Sequence, residues 1–125
     1  MSALPTDRYY AATHEWVYRE QDGTLTIGIT DYAQEALGDI VFIELPEIGR
    51  ALAADESCAV IESVKAASEL YAPVAGKIIA VHAEVADTPE RVNEEPYATW
   101  LFKLQPDSDA LDGLLDAAGY EAQIA

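Results

Sequence analysis

Cysteine occurs once, at Cys58, so no internal disulfide can form, and the two histidines, His14 and His82, have no metal-ligand spacing with it or with each other. A disulfide scaffold and a structural metal are therefore not expected, and Cys58 reads as a small buried hydrophobe. No apolar run approaches the roughly 18 residues of a membrane span, and the opening Met-Ser-Ala-Leu-Pro-Thr-Asp has neither the basic start nor the apolar core of a secretory signal. Catalytic motifs are missing as well. Gly76-Lys77-Ile78 lacks the Ser or Thr and the upstream glycine of a phosphate loop, and neither Glu56-Ser57-Cys58 nor Glu62-Ser63-Val64 is a nucleophile elbow. Nothing assembles an acid, a base and a nucleophile, so a protein that is not an enzyme is expected.

Positive charge is scarce too. Seven basic residues stand against 23 acidic ones, a formal charge of -16 spread along the chain. Such a surface repels phosphate backbones and anionic lipid, which argues against nucleic-acid and membrane partners and for encounters with basic protein surfaces that weaken with salt. At 125 residues the expectation is a single domain spanning residues 1–125, able to bury roughly two thirds of the surface its unfolded chain exposes. A monomer in the cytoplasm is expected, or in the mitochondrial matrix if a transit peptide has been removed.

Along the chain, residues 15–20 and 24–29 read as two strands joined through Gln21-Asp22-Gly23, since Asp-Gly between such runs tolerates the positive φ of a hairpin turn. Leu25, Ile27 and Ile29 alternate with Thr24, Thr26 and Gly28, which predicts one buried face, and Trp16 and Tyr18 supply an aromatic pair. Asp31-Tyr32-Ala33-Gln34 has the form of a capping box for a short helix that Gly38 can end. Residues 40–45 predict a strand apolar on both sides, stopped by Pro46. Residues 76–81 echo residues 38–43 at an offset of 38, and each segment leads through a polar stretch to another apolar strand, 57–64 and 97–104. That weak repeat fits two similar half-sheets packed face to face. Trp100, Phe102 and Leu104 are expected to share a face. Thr88-Pro89-Glu90-Arg91 allows one helical turn. A C-terminal helix is expected over about residues 108–118, with Leu111, Leu114, Leu115 and Ala118 as its apolar stripe.

The centre of the chain is the stretch from Val60 to Pro73. Lysine occurs at positions 65, 77 and 103 only, and Lys65 stands between apolar residues with Glu62 three before it and Glu69 four after it. An exposed lysine among acids is usually solvated surface, with each such pair contributing about 0 to 1 kcal/mol. From Asp55 to Ala72 there is no Gly or Pro, so propensity favours a helix. The competing reading is a hairpin with an apolar arm to Val64, a type I turn at Lys65 and a return arm to Pro73. Periodicity leaves both open.

Four blocks decide between them. Glu62-Ser63-Val64-Lys65-Ala66-Ala67-Ser68 followed by Tyr71-Ala72-Pro73-Val74-Ala75-Gly76 resembles the lipoyl-lysine hairpin of the glycine cleavage system H protein family. Thr13-His14-Glu15-Trp16-Val17, the segment from Thr26-Ile27-Gly28 to Asp39-Ile40-Val41-Phe42, and Val92-Asn93-Glu94-Glu95-Pro96-Tyr97 match the same family in the same order. The resemblance covers nearly the whole chain. It implies a mainly β fold, a barrel-sandwich hybrid of two packed antiparallel sheets with an N-terminal hairpin, short helices and a C-terminal helix, and it puts Lys65 on a hairpin of about residues 56–74.

The resemblance further implies lipoate in amide linkage to Lys65, with Glu62 in the surface read by a lipoate ligase, lipoyl transferase or lipoyl synthase. The arm would take an aminomethyl group from the pyridoxal-phosphate enzyme glycine decarboxylase, present it to a tetrahydrofolate-dependent aminomethyltransferase, and pass electrons to dihydrolipoamide dehydrogenase. Glu15 and Glu69 are the candidate carboxylates of a cleft that shelters the loaded arm, since a charged hydrogen bond in a dry site holds an amine well. His14 is expected to be a packed residue at a strand end. Two positions depart from the family pattern: Asp55, where a glycine is expected, and Ala98-Thr99 before Trp100. Asp tolerates a left-handed backbone better than most residues. The alternatives are a donor of lipoate to other enzymes and a lipoyl or biotinyl domain of another complex.

Overall fold

The computed structural model describes residues 4–108, 111 and 113–124. The strands are β1 (Tyr9–Tyr10), β2 (Glu15–Arg19), β3 (Leu25–Ile29), β4 (Ile40–Glu44), β5 (Ala51–Leu52), β6 (Ser57–Ser63), β7 (Ala67–Tyr71), β8 (Gly76–Val81) and β9 (Phe102–Pro106). The helices are α1 (Asp31–Leu37), α2 (Ala83–Asp87), α3 (Glu90–Glu94) and α4 (Ala117–Ile124). Six strands form one antiparallel sheet in the order β1-β2-β3-β9-β8-β5, and three form the other in the order β4-β6-β7. The expected mainly β architecture of two packed sheets with short helices is what is found, without closure into a barrel.

The main core lies between the sheets. Val17, Ile27, Ile78, Phe102 and Leu104 of the larger sheet meet Ile40, Ile43, Ile61 and Leu70 of the smaller. A second cluster, Tyr10, Trp16 and Tyr120, covers the opposite side of β2. Tyr10 stacks on Tyr120 with ring centroids 4.9 Å apart, the Arg8 guanidinium lies 4.6 Å above the Trp16 ring, and the Trp16 indole N–H donates to the Pro96 carbonyl at 2.9 Å. With both faces covered, every residue of β3 is buried, not only the alternate ones. Buried Thr26 satisfies its hydroxyl by donating to Glu20 at 2.6 Å.

The repeat at an offset of 38 has a structural counterpart. β4 is bulged between Ile40 and Phe42 and β8 between Ile78 and Ala80, the equivalent positions, and each pairs with the strand that follows its polar stretch, β6 or β9. Each copy lies in a different sheet.

Local expectations are corrected at four places. The N-cap of α1 is Thr30, whose hydroxyl accepts from Ala33 N–H at 3.2 Å; Asp31 sits one residue inside and accepts from the Gln34 amide at 2.8 Å. In the first hairpin only Gly23 has a positive φ, of 88°, because the Asp22 carboxylate accepts from the Thr24 N–H at 3.0 Å and organises the turn itself. Trp100 does not share the face of Phe102 and Leu104; it precedes β9 and stacks on His82 at 4.8 Å. Of the last helix expected over residues 108–118, positions 109, 110 and 112 lie outside the described residues. Leu111, Leu114 and Leu115 are not helical, and Leu115 cannot be, since its N–H and C=O are both bonded to Tyr10 at 2.7 Å. The helix is therefore α4, with Tyr120 as its buried residue.

Candidate functional site

Lys65 stands at the tip of the β6–β7 hairpin. The strands pair from Ser57 with Tyr71 to Glu62 with Ala67. Neither Val64 nor Lys65 has the positive φ of the primed turns usual in two-residue hairpins. Ser63 supplies what the turn backbone does not. Its hydroxyl accepts from the N–H groups of Lys65 and Ala66, each at 3.1 Å, while its N–H donates to the Ala66 carbonyl at 2.8 Å. Val64 N–H donates to the Asp39 carbonyl at 3.0 Å, tying the tip to the chain after α1. The tip is held, and the residues from Val64 to Glu69 are exposed.

The lysine side chain leans toward α1. A Cβ placed on Gly38, which has φ 79° and ψ -155°, would lie 3.1 Å from Lys65 Cε. Beside it, a cleft of about 330 Å³ opens between α1, the turn at Thr13-His14 and β7. Its apolar lining comes from Ile29, Leu37, Ile61 and Leu70, and its polar lining from Thr13, His14, Tyr32, Ser68 and Glu69. On β7 the cleft begins at Ser68, three residues from Lys65, or roughly 10 Å of extended chain.

The two candidate carboxylates are placed differently. Glu69 is exposed and lines the cleft, and its carboxylate accepts from the hydroxyls of Ser57 at 2.9 Å and Tyr71 at 3.4 Å. Its charge holds the Tyr71 hydroxyl above its usual pKa. Glu15 is 0% exposed and does not line the cleft; it lies behind Thr13, whose hydroxyl donates to Oε1. Oε2 accepts from Tyr71 N–H at 3.1 Å, so this one side chain of the larger sheet bonds the last residue of the smaller sheet's β7. Burial pushes the Glu15 carboxyl up to about 7, against the lowering effect of the Thr13 and Tyr71 hydrogen bonds.

His14 is packed at the start of β2, as expected. Its Nδ1 is hydrogen-bonded to the Tyr120 hydroxyl at 2.7 Å, its ring tilts against Tyr32 at 4.8 Å, and burial holds its pKa below the usual value. The Tyr120 hydroxyl, pushed up to about 12 by burial, is also bonded to Thr30 at 2.8 Å. Tyr120 and Asn93 are site-supporting residues that the sequence reading did not single out. Asn93 gives Ile40 N–H an acceptor at 2.9 Å and donates to the carbonyl of Gly38 at 2.8 Å, fixing the segment the lysine leans on. The signal for Asn93 was present in the block Val92-Asn93-Glu94; for Tyr120 there was none. Glu62 is exposed, opposite Phe42 on one side and Ala67 on the other. At the two departures from the family pattern, Asp55 adopts φ 66° and Thr99 is buried with its hydroxyl donating to the Arg91 carbonyl at 3.3 Å.

Comparison with known proteins agrees over the full length. A family model described as glycine cleavage H-protein matches residues 8–125. The chain is 60% identical to the glycine cleavage system H protein of an Azoarcus species, covering 100% of this chain and 99% of that protein. It is 57% identical to glycine cleavage system H protein 2 of Pseudomonas aeruginosa, covering 99% and 97%. The crystal structure of a glycine cleavage system H protein from Mycobacterium marinum superposes with a TM-score of 0.88 at 42% identity, over 97% of this chain and 98% of that one. The chain belongs to the glycine cleavage H-protein family.

Proposed function

We propose that Lys65 carries lipoate in amide linkage and that the chain is the carrier of the glycine cleavage system, a non-catalytic single-domain shuttle working as a monomer in the cytoplasm. The observation that carries this reading is an exposed amine on a tethered turn beside an apolar-floored cleft. The residues present suit the group: Lys65 offers the attachment atom, small neighbours Ala66, Ala67 and Ser68 leave an enzyme room to reach it, and Ala33, Ala36 and Leu37 offer an acyl chain an apolar surface. When attached, lipoate supplies a redox-active disulfide able to carry an aminomethyl group and electrons between enzymes.

The chain's own residues position and protect. Ser63 and the Asp39 carbonyl hold the turn rigid, so the arm pivots from a fixed root. Thr13, Ser68 and Glu69, with His14 and Tyr32, give the cleft its polar groups, and Glu15, behind Thr13, provides a carboxylate that an incoming amine cation would keep ionised. Glu62, exposed on the strand before the turn, belongs to the surface that a lipoate ligase, lipoyl transferase or lipoyl synthase reads. Glycine decarboxylase, the aminomethyltransferase and dihydrolipoamide dehydrogenase are the partners that would use the loaded arm.

Reconstitution with those three enzymes tests the reading. The lipoylated wild type should support exchange of the glycine carboxyl carbon with bicarbonate, and Lys65→Arg should abolish it. A lipoylated wild type that supports no exchange, yet passes its lipoyl group to other acceptor proteins, would identify a lipoyl donor instead.

A further inference from the structure

β4 is one of the two outer strands of the three-stranded sheet and runs beside the lysine turn: Ile40 pairs with Ser63, Phe42 with Glu62, and Asp39 accepts from Val64. The bulge between Ile40 and Phe42 breaks the alternation of inward and outward residues. Two consecutive apolar side chains are left outside in consequence, Val41 at 55% and Phe42 at 48% exposure, while Ile40 and Ile43 alone carry the strand into the core. Val64, next to the lysine, is 67% exposed. Around these three stand the exposed carboxylates of Asp39, Glu44 and Glu62.

The geometry points to Val41, Phe42 and Val64 as the docking surface of the enzyme that acylates Lys65, a partner presenting an apolar contact within a basic rim. This rests on Lys65 being the lipoyl site. Proximity selects the occupant. An acylating enzyme must bring an activated acyl carbon, such as that of an acyl-adenylate, to bonding distance of Nζ, so its walls must meet the turn and the strand tethered to it. The neutral amine then forms the C–N bond, the acyl–phosphate bond breaks with its electron pair leaving on the nucleotide, and the amine's proton passes to solvent. Enzymes that work on the far end of a loaded arm can reach its cargo without touching Val64. The acidic rim, within a chain of net charge -16, calls for a basic counterpart that would also steer encounter.

The test is the kinetics of lipoyl transfer to the full-length unmodified chain by a purified lipoate ligase with lipoate and ATP, followed by intact mass. Val41→Ser/Phe42→Ser should raise KM for the chain about tenfold with little change in kcat, and calorimetric affinity for the ligase should fall by a similar factor. Wild-type KM should rise with salt. Val64→Ser, a single change at an exposed position, should act in the same direction, which keeps the test valid if the double variant misfolds. Ile79→Ser, at the equivalent bulge on β8, should leave KM unchanged. Normal KM in the Val41/Phe42 and Val64 variants overturns the proposal while leaving the lipoyl reading intact. Raised KM of those variants, once loaded, for glycine decarboxylase or the aminomethyltransferase alone also overturns it, assigning the patch to that enzyme. A wild-type Lys65 that the ligase leaves unmodified overturns both readings.

Discussion

Tyr71 donates its backbone N–H to Glu15 Oε2 at 3.1 Å, and this bond joins the strand leading from Lys65 to the sheet on the far side of the core. A carboxylate doing this from full burial carries a pH dependence. Its carboxyl, at about 7 in the folded chain against an ordinary 4.5, holds a proton that the unfolded chain releases earlier. The stability it contributes is therefore complete below about 4.5 and lost as pH rises through about 7, a change on the order of 3 kcal/mol. Glu15→Gln should flatten that part of the profile. Urea unfolding of both proteins between pH 4.5 and 8 measures it; parallel profiles would mean Glu15 titrates normally.

Gly38 combines φ 79° with ψ -155°, a region essentially reserved for glycine, and it faces the lysine stem. Gly38→Ala should cost about 1 to 3 kcal/mol in thermal unfolding. The contact with Lys65 Cε is the lesser problem, since a flexible side chain can move aside.

Asp55 sits at φ 66° with its N–H donating to the Ala72 carbonyl at 2.8 Å. Asp55→Gly should keep stability within about 1 kcal/mol of wild type, whereas Asp55→Val should lose about 1 to 2 kcal/mol because a β-branched residue resists the left-handed region. Chemical denaturation of the pair separates backbone conformation from side-chain bonding.

Cys58 is buried, and burial pushes its thiol up to about 12, with the Glu15 charge adding to the rise. A thiol so disposed should be inert to an aromatic disulfide reagent in the native protein at pH 8 and react once per chain in urea. Fast native labelling would contradict this placement.

Much of the fold was legible because its signals are local. Asp22-Gly23, Pro46 and Gly38 marked turns and element ends correctly, whereas the alternation in β3 did not reveal that both of its faces are covered. The stretch around Lys65 was not legible from pattern, because a non-glycine turn built on a Ser63 hydroxyl leaves no turn residue to read, and only the family resemblance separated hairpin from helix. The final helix was misplaced because Leu111, Leu114 and Leu115 have helical spacing while backbone bonds to distant Tyr10 hold Leu115 extended. Helix α2 was not anticipated, since its five residues carry no side-chain cap. At the site, the exposure of Lys65 and Glu62 followed from hairpin geometry. The full burial of Glu15 did not: a charged residue at a strand start reads as surface, and only the packing of the second sheet encloses it.

The most direct measurement is peptide mass spectrometry of the chain purified from its own source. A lipoyl amide on the Lys65 peptide, with Lys77 and Lys103 unmodified, is the predicted result. Biotin on Lys65, or lipoate on another lysine with Lys65 a free amine, would contradict it.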